Sequence, residues 1–252
     1  METEKEHIYA LLGRNISYSF SRTYFTEKFK RSGLKDHFYV NFDLPEISQL
    51  PAILDQYKGK LKGFNVTIPY KQDIFHFLDE VSPDAREIGA VNVVKILKNG
   101  NLKGFNTDSY GFENSIKPLL RSFHKKALIL GTGGASKAVS FVLDKLGMEY
   151  LYVSRRSNQG SGSITYKDLS AEVLNDYPVI INATPVGTFP DIEKTPDIPY
   201  NLLTSRHLLY DLIYNPSMTS FLKQGKSRGA TIKNGLKMLE FQAEKAWEIW
   251  NS

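Results

Sequence analysis

Apolar positions along this chain follow two alternating rhythms. Strand-type runs at HIYALLG (7–13), DHFYVNFDL (36–44) and LKGFNVTI (61–68) are separated by amphipathic stretches that predict helices near Arg22–Gly33 and Ile47–Tyr57. That alternation is the pattern of an α/β layer. The segment VNVVKILKNGNLKGFNTD (91–108) predicts a hairpin turning at Asn99 and Gly100. The order then restarts with the strand ALIL (127–130), a helix ending at Gly147, the strand YLYVS, a polar Ser- and Gly-rich loop at 158–163, and the strands VIINAT and HLLYDLIY. Repeats of this length predict a parallel, doubly wound sheet. We therefore expect two domains, 1–108 and 109–235. From Leu236 onward, Leu239, Ala243, Ala246, Trp247 and Trp250 form one apolar arc at helical spacing, which predicts a final helix over 236–252.

Composition narrows the chemistry. With 252 residues, 41% hydrophobic, the chain can bury two modest cores. Cysteine is absent, which excludes disulfides and thiolate chemistry. The five histidines are widely spaced and show no metal-binding pairing, so no metal is expected. No apolar run reaches the roughly 18 residues of a membrane span, and METEKEHIYA lacks the basic and apolar regions of a signal peptide. A soluble, cytoplasmic protein without a membrane partner is expected. The 32 basic and 27 acidic residues, net charge +5, are mixed along the chain, so no basic stripe suggests nucleic acid. The mild positive balance suits small anionic ligands and equally suits a merely solvated surface.

The strand ALIL runs directly into GTGGASKA. Gly131 permits a tight turn, Gly133 lets the backbone approach a pyrophosphate, and Gly134 and Ala135 open a helix whose face carries Ala138, Val139, Val142 and Leu146. Strand, glycine turn and helix in this order indicate a dinucleotide site. The next strand ends in Ser154, Arg155 and Arg156, where an NAD site usually offers an acid to the ribose hydroxyls. Two guanidinium groups suit a 2′-phosphate, which favours NADP.

In the first half, polar clusters stand where strands end: Ser19 and Ser21 in GRNISYSFSR, Asn65, Thr67 and Lys71 in GFNVTIPYK, Asn92 in GAVNVV, and Asn106, Thr107 and Asp108 in GFNTDSYGF. Taken singly, each reads as a cap or turn. Together with the glycine turn, INATPVG (181–187), DLIYNPSMTSFL (211–222) and NGLKMLEFQA (234–243), they closely resemble the shikimate dehydrogenase family over nearly the whole chain. The resemblance implies an N-terminal α/β substrate domain and a Rossmann-like NADP domain with a cleft between them. The implied reaction is reversible NADPH-dependent reduction of 3-dehydroshikimate to shikimate, on the route to aromatic amino acids.

Residue by residue, the resemblance places Ser19 and Ser21 on the substrate carboxylate and Thr67, Asn92, Asp108 and Gln242 around the ring hydroxyls. Lys71 and Asp108 match its catalytic pair, and Lys71 also touches substrate. Gly131, Thr132, Gly133, Gly134, Ala135, Ser154, Arg155, Arg156, Leu212 and Gly235 fall at cofactor positions, and Tyr214 at the cleft on the substrate side. The final helix is expected to join the first domain and present Gln242. Departures from the family pattern include Asn15 and Arg22 for proline, Tyr18 for histidine, Val93 for threonine, Ser109 for glycine and Ser154 for asparagine. Oligomeric state is left open, as monomer or dimer.

Moving hydride to a ketone leaves charge on oxygen, and a lysine beside a carboxylate can supply or relay the proton. Pro69 suggests that Lys71 sits in the first turn of a helix. There the helix dipole would lower the amine's pKa and Asp108 would raise it, so acid/base and orienting roles both stand. Two alternatives compete: a quinate/shikimate dehydrogenase with relaxed cofactor use, and a sensor that binds the same ligands without turnover.

Overall fold

The computed structural model describes residues 6–17, 20–156 and 162–252. The chain divides into two compact units, 1–107 with 243–252 and 108–242. Among the described residues no helix is long and apolar enough to cross a membrane.

The first unit contains β1 (His7–Gly13), α1 (Phe20–Arg31), β2 (His37–Asp43), α2 (Leu50–Gln56), β3 (Leu61–Val66), β4 (Glu80–Val81), α3 (Pro83–Ile88), β5 (Val93–Ile96) and β6 (Leu102–Phe105). They form a six-stranded sheet in the order β2-β1-β3-β5-β6-β4. Strands β1, β2 and β3 run parallel, and β5 is antiparallel to both β3 and β6. The expected hairpin is present: Gly100 takes φ +90°, and Asn101 N–H donates to Asn99 Oδ1 at 3.0 Å. Helix α3 shows why its sequence starts and stops where it does. Ser82 caps its first turn by accepting from Ala85 N–H, Pro83 sits at the start, and Gly89 ends it in the left-handed region at φ +67°.

Strand β1 is covered on both faces, as parallel strands generally are. Ala10 and Leu12 join Phe42, Phe64 and Ile74 on one side. Tyr9 and Leu11 join Phe25, Phe29, Val93 and Trp250 on the other.

The second unit contains α4 (Asp108–Ile116), β7 (Lys126–Leu130), α5 (Gly134–Lys145), β8 (Glu149–Ser154), β9 (Ser163–Thr165), α6 (Ala171–Asp176), β10 (Val179–Asn182), β11 (Leu208–Asp211), α7 (Ser220–Ser227) and β12 (Thr231–Lys233). Its sheet is all parallel in the order β12-β11-β10-β7-β8-β9. Alternate residues of each central strand feed opposite cores. Ile129, Ile181 and Tyr210 pack with Phe112, Val139 and Val142, whereas Leu128, Ile180 and Leu209 pack with Leu174, Phe221 and Leu222. This is the doubly wound arrangement that the repeats predict.

Helix α8 (Leu236–Asn251) is shared: residues up to Gln242 belong to the second unit and those from Ala243 to the first. In the first unit Trp250 is buried among Tyr9, Phe25 and Tyr39, and its indole N–H donates to the Val94 carbonyl at 3.0 Å. Gly63 makes room for this ring, since a Cβ there would lie 2.3 Å from the indole.

Candidate functional site

In the first unit, polar residues on α1, β2 and β3 and beside β5 and β6 are joined by hydrogen bonds. Ser21, in the first turn of α1, hydrogen-bonds the Tyr39 hydroxyl, and Tyr39 donates to Asn65 Oδ1 at 2.7 Å. Burial pushes the Tyr39 phenol well above its ordinary pKa, so it is a neutral donor. Asn65 Nδ2 reaches the Asn92 carbonyl at 3.4 Å, and that carbonyl also accepts Val66 N–H at 2.8 Å. The Asn92 side chain then holds Thr107: its Oδ1 accepts Thr107 N–H at 2.7 Å and its Nδ2 donates to Thr107 Oγ1 at 3.1 Å. Asn106 Nδ2 donates to the Ala90 carbonyl at 2.9 Å. Every member is uncharged.

Thr67 follows β3 and donates its N–H to the Leu12 carbonyl at 2.8 Å. Its methyl group lies where a Cβ on Gly13 would sit, at 2.5 Å, so only glycine at 13 lets this threonine in. Lys71 is half-buried and lies in a turn, not in the first turn of an α-helix as Pro69 suggests. The reason is in the backbone pairing. The Lys71 carbonyl accepts Val91 N–H at 2.8 Å, and the chain continues as a short 3₁₀-helix over Asp73–Phe77. Lys71 therefore does not stand at the N-terminus of an α-helix, and the dipole argument does not apply to it. Ser19 and Tyr18 lie outside the described residues.

Asp108 is the first residue of α4, is buried, and follows directly on Thr107. A carboxylate at the positive end of a helix is favourably placed. In the same unit Gln242 is buried on α8, close against α4: a Cβ on Gly111 would stand 3.2 Å from Gln242 Cβ.

The glycine turn occupies the topological switch point of the second sheet. Strand β7 lies between β10 and β8, which is where the strand order reverses and where dinucleotides bind at the strands' carboxyl ends. Gly131 has φ +100°, a conformation that disfavours any side chain, and donates its N–H to the Val153 carbonyl at 2.9 Å. Gly133 caps α5 without a side-chain hydrogen bond, and Cβ atoms built on Gly133 or Gly134 would meet nothing within 4 Å. No side chain therefore crowds this helix start, whose first amides lack intrahelical acceptors, as a pyrophosphate site requires. Thr132 is exposed beside them and Ala135 follows in the first turn.

Ser154 closes β8, and Arg155 and Arg156 are exposed just beyond it. The Ser154 hydroxyl donates to the Arg156 carbonyl, which folds the strand end back on itself. Leu212 follows β11, and a Cβ on Gly235 would lie 2.1 Å from the Leu212 carbonyl oxygen, so the two segments touch through backbone. Tyr214 is half-buried, which raises its pKa. Asp211, Asn182 and Thr219 carry a second polar chain that the sequence motifs contained without assigning it any role. The signal was there: in VIIN and LLYD a polar residue ends an otherwise apolar strand.

Residues 11–94 match the model of the shikimate dehydrogenase substrate binding domain. The chain is 34% identical over 264 residues to a shikimate dehydrogenase (NADP(+)) of Desulforamulus reducens, covering 98% of this chain and 90% of that protein. The crystal structure of shikimate dehydrogenase from Aquifex aeolicus superposes with a TM-score of 0.86 at 34% identity, covering 100% of this chain and 94% of that one. That of shikimate 5-dehydrogenase from Thermus thermophilus, in complex with NADP(H) and shikimate, gives a TM-score of 0.84 at 32% identity, covering 97% and 93%.

Proposed function

Because this chain belongs to the shikimate dehydrogenase family, we propose that it catalyses the reversible NADP-dependent oxidation of shikimate to 3-dehydroshikimate. The observation that carries the reading is the uncapped, open glycine turn at the switch point of an all-parallel sheet, in a chain whose residues 11–94 match a substrate-binding domain. In this assignment residues 1–108 with the final helix form the substrate domain and 109–235 the NADP domain.

NADP supplies a hydride acceptor or, when reduced, a hydride donor. Its pyrophosphate suits the amides from Gly131 to Ala135, with Thr132 beside them. Its 2′-phosphate suits the exposed Arg155 and Arg156 next to Ser154, where planar, permanently charged donors can bind in pairs. Leu212 and Gly235 would line the other end of that site.

On the substrate side Ser19 and Ser21 would hold the carboxylate, and Thr67, Asn92, Asp108 and Gln242 the ring hydroxyls, with Tyr214 between the two ligands. The Tyr39 hydroxyl supports this by fixing Ser21 and the Asn65 amide. Lys71 and Asp108 would handle the proton: the carbonyl oxygen gains charge as hydride arrives, and the ammonium both stabilises it and donates to it. Asp108 would orient that ammonium.

The test is direct. Purified protein is mixed with shikimate or quinate and with NADP or NAD, and reduced nicotinamide is followed by absorbance. Reduction with shikimate and NADP is expected. Turnover of quinate with NAD at a comparable rate would favour the broader dehydrogenase, and no reduction in any combination would overturn the catalytic reading.

A further inference from the structure

We propose that Asp211, Asn182, Thr184 and Thr219 form a positioning network that fixes the cofactor end of the second sheet and thereby sets affinity for NADP. Three neighbouring strands finish level with one another there. Asn182 is directly opposite Leu130 on one side and Asp211 on the other, and Gly131 follows Leu130. Backbone bonds continue the register one residue further, from Ala183 N–H to the Leu130 carbonyl and from Leu212 N–H to the Asn182 carbonyl, both at 3.0 Å.

Side chains lock these ends together. Asp211 is fully buried, and its carboxylate accepts from Asn182 Nδ2 at 3.0 Å, Thr219 Oγ1 at 2.6 Å and Ile213 N–H at 3.1 Å. Asn182 Oδ1 in turn accepts from Thr184 Oγ1 at 2.6 Å and Thr184 N–H at 3.1 Å. Thr184 Oγ1 accepts Val186 N–H at 3.2 Å, and Asn182 Nδ2 also reaches the Val186 carbonyl at 3.3 Å. The Thr184 methyl is the atom a Cβ on Gly131 would meet first, at 2.9 Å. The network thus touches the glycine turn at one end. At the other it holds Ile213, next to Leu212, whose carbonyl is pressed against Gly235.

Among the described residues Asp211 makes no ion pair, and all three donors are neutral. Burying a carboxylate this way costs free energy that an apolar residue would not. What the carboxylate adds is geometry, because its two oxygens tie β10, the segment after β11 and the start of α7 to a single point. Gly131 and Leu212, the two segments tied by the network, are cofactor residues in the reading above, so this inference rests on that reading.

Thr184→Val removes one hydroxyl from a half-buried loop residue and keeps a methyl group toward Gly131. Thr219→Val removes the hydroxyl at the far end of the network. Kd for NADPH, from fluorescence of the bound nicotinamide, is expected to rise about 10-fold in each variant, with KM for shikimate within about twofold of wild type. Thr184→Ser, which keeps the hydroxyl, restores the affinity. Equal losses for NADPH and shikimate, or unchanged NADPH affinity in folded Thr184→Val, would overturn the network's role. If Thr219→Val fails to fold, Thr184→Val decides alone. A wild-type protein that binds no NADPH would overturn the functional reading itself, and is distinguished by the same titration.

Discussion

The two sheets solve one problem differently. Each carries a buried polar chain beside its central strands, which in the first runs through the amides and hydroxyls of Tyr39, Asn65, Asn92 and Thr107, whereas the second is built around the carboxylate of Asp211. Amides and hydroxyls of this kind do not themselves titrate at ordinary pH. A carboxylate held by neutral donors is different: burial raises the Asp211 pKa to about 6, although all three donors work to lower it. The comparison teaches that Tyr39, Asn65, Asn92 and Thr107 bring no carboxylate to the polar chain of the first unit, while that of the second turns on one buried acid.

The largest test of this division concerns where charge resides in the first unit. Lys71→Ala is expected to lower kcat by about 100- to 10,000-fold while leaving NADPH binding in place, as measured by steady-state kinetics and fluorescence titration. A raised KM with unchanged kcat would remove the lysine from the chemistry.

Next comes the acid response of the second unit. With a folded pKa of about 6 against 3.8 in the unfolded chain, native Asp211 binds more protons between those values, so its contribution to stability falls as pH rises through that window and is level above it. About two pKa units correspond to about 3 kcal/mol. Tyr200 senses the same carboxylate, which adds to burial in raising its phenol pKa. Urea unfolding of wild type and Asp211→Asn between pH 4 and 7 should therefore diverge, wild type gaining relative to the variant as pH falls. Parallel curves would show that Asp211 is not the acid-sensitive group.

A smaller effect is expected at the cofactor's phosphate. Replacing Arg155 and Arg156 together by alanine should raise KM for NADP about 10- to 100-fold and barely alter KM for NAD. Equal losses for both cofactors would defeat the 2′-phosphate assignment. Smallest is Asn92→Ala, which leaves the buried Thr107 N–H without its acceptor and should cost about 1.5 kcal/mol in unfolding experiments. That cost should be the same at pH 5 and pH 8, whereas a pH-dependent cost would contradict the neutral character of the first network.

Much of this was legible in the residues. Strand β1 matches HIYALLG, the hairpin turns at Asn99 and Gly100, and GTGGASKA opens α5. These are local signals, set by β-branched or apolar runs and by glycines whose φ is positive or whose side chain would intrude. The short strands β4, β9 and β12 were not, because two or three residues carry no period of their own and are fixed by their neighbours. Helix α4 was hidden as well: Gly111 weakens its helical signal, yet the residue is required because a Cβ would strike the Met238 carbonyl at 2.4 Å. At Lys71 the proline suggested a helix, but the pairing of its carbonyl with Val91, twenty residues away, decided otherwise. Long-range partners also explain why Asp211 had no role in the sequence. Nothing local to LLYD shows that Asn182 and Thr219 will meet it.

The split of α8 has a consequence for synthesis. The second unit is one uninterrupted stretch, 108–242, and can complete itself as soon as that stretch has left the ribosome. The first unit cannot, although it is translated earlier. Its aromatic core lacks Trp250 until residues 243–252 arrive, and the slot over Gly63 and the Val94 carbonyl stays unfilled through the making of more than a hundred intervening residues. The half that is born first is therefore finished last.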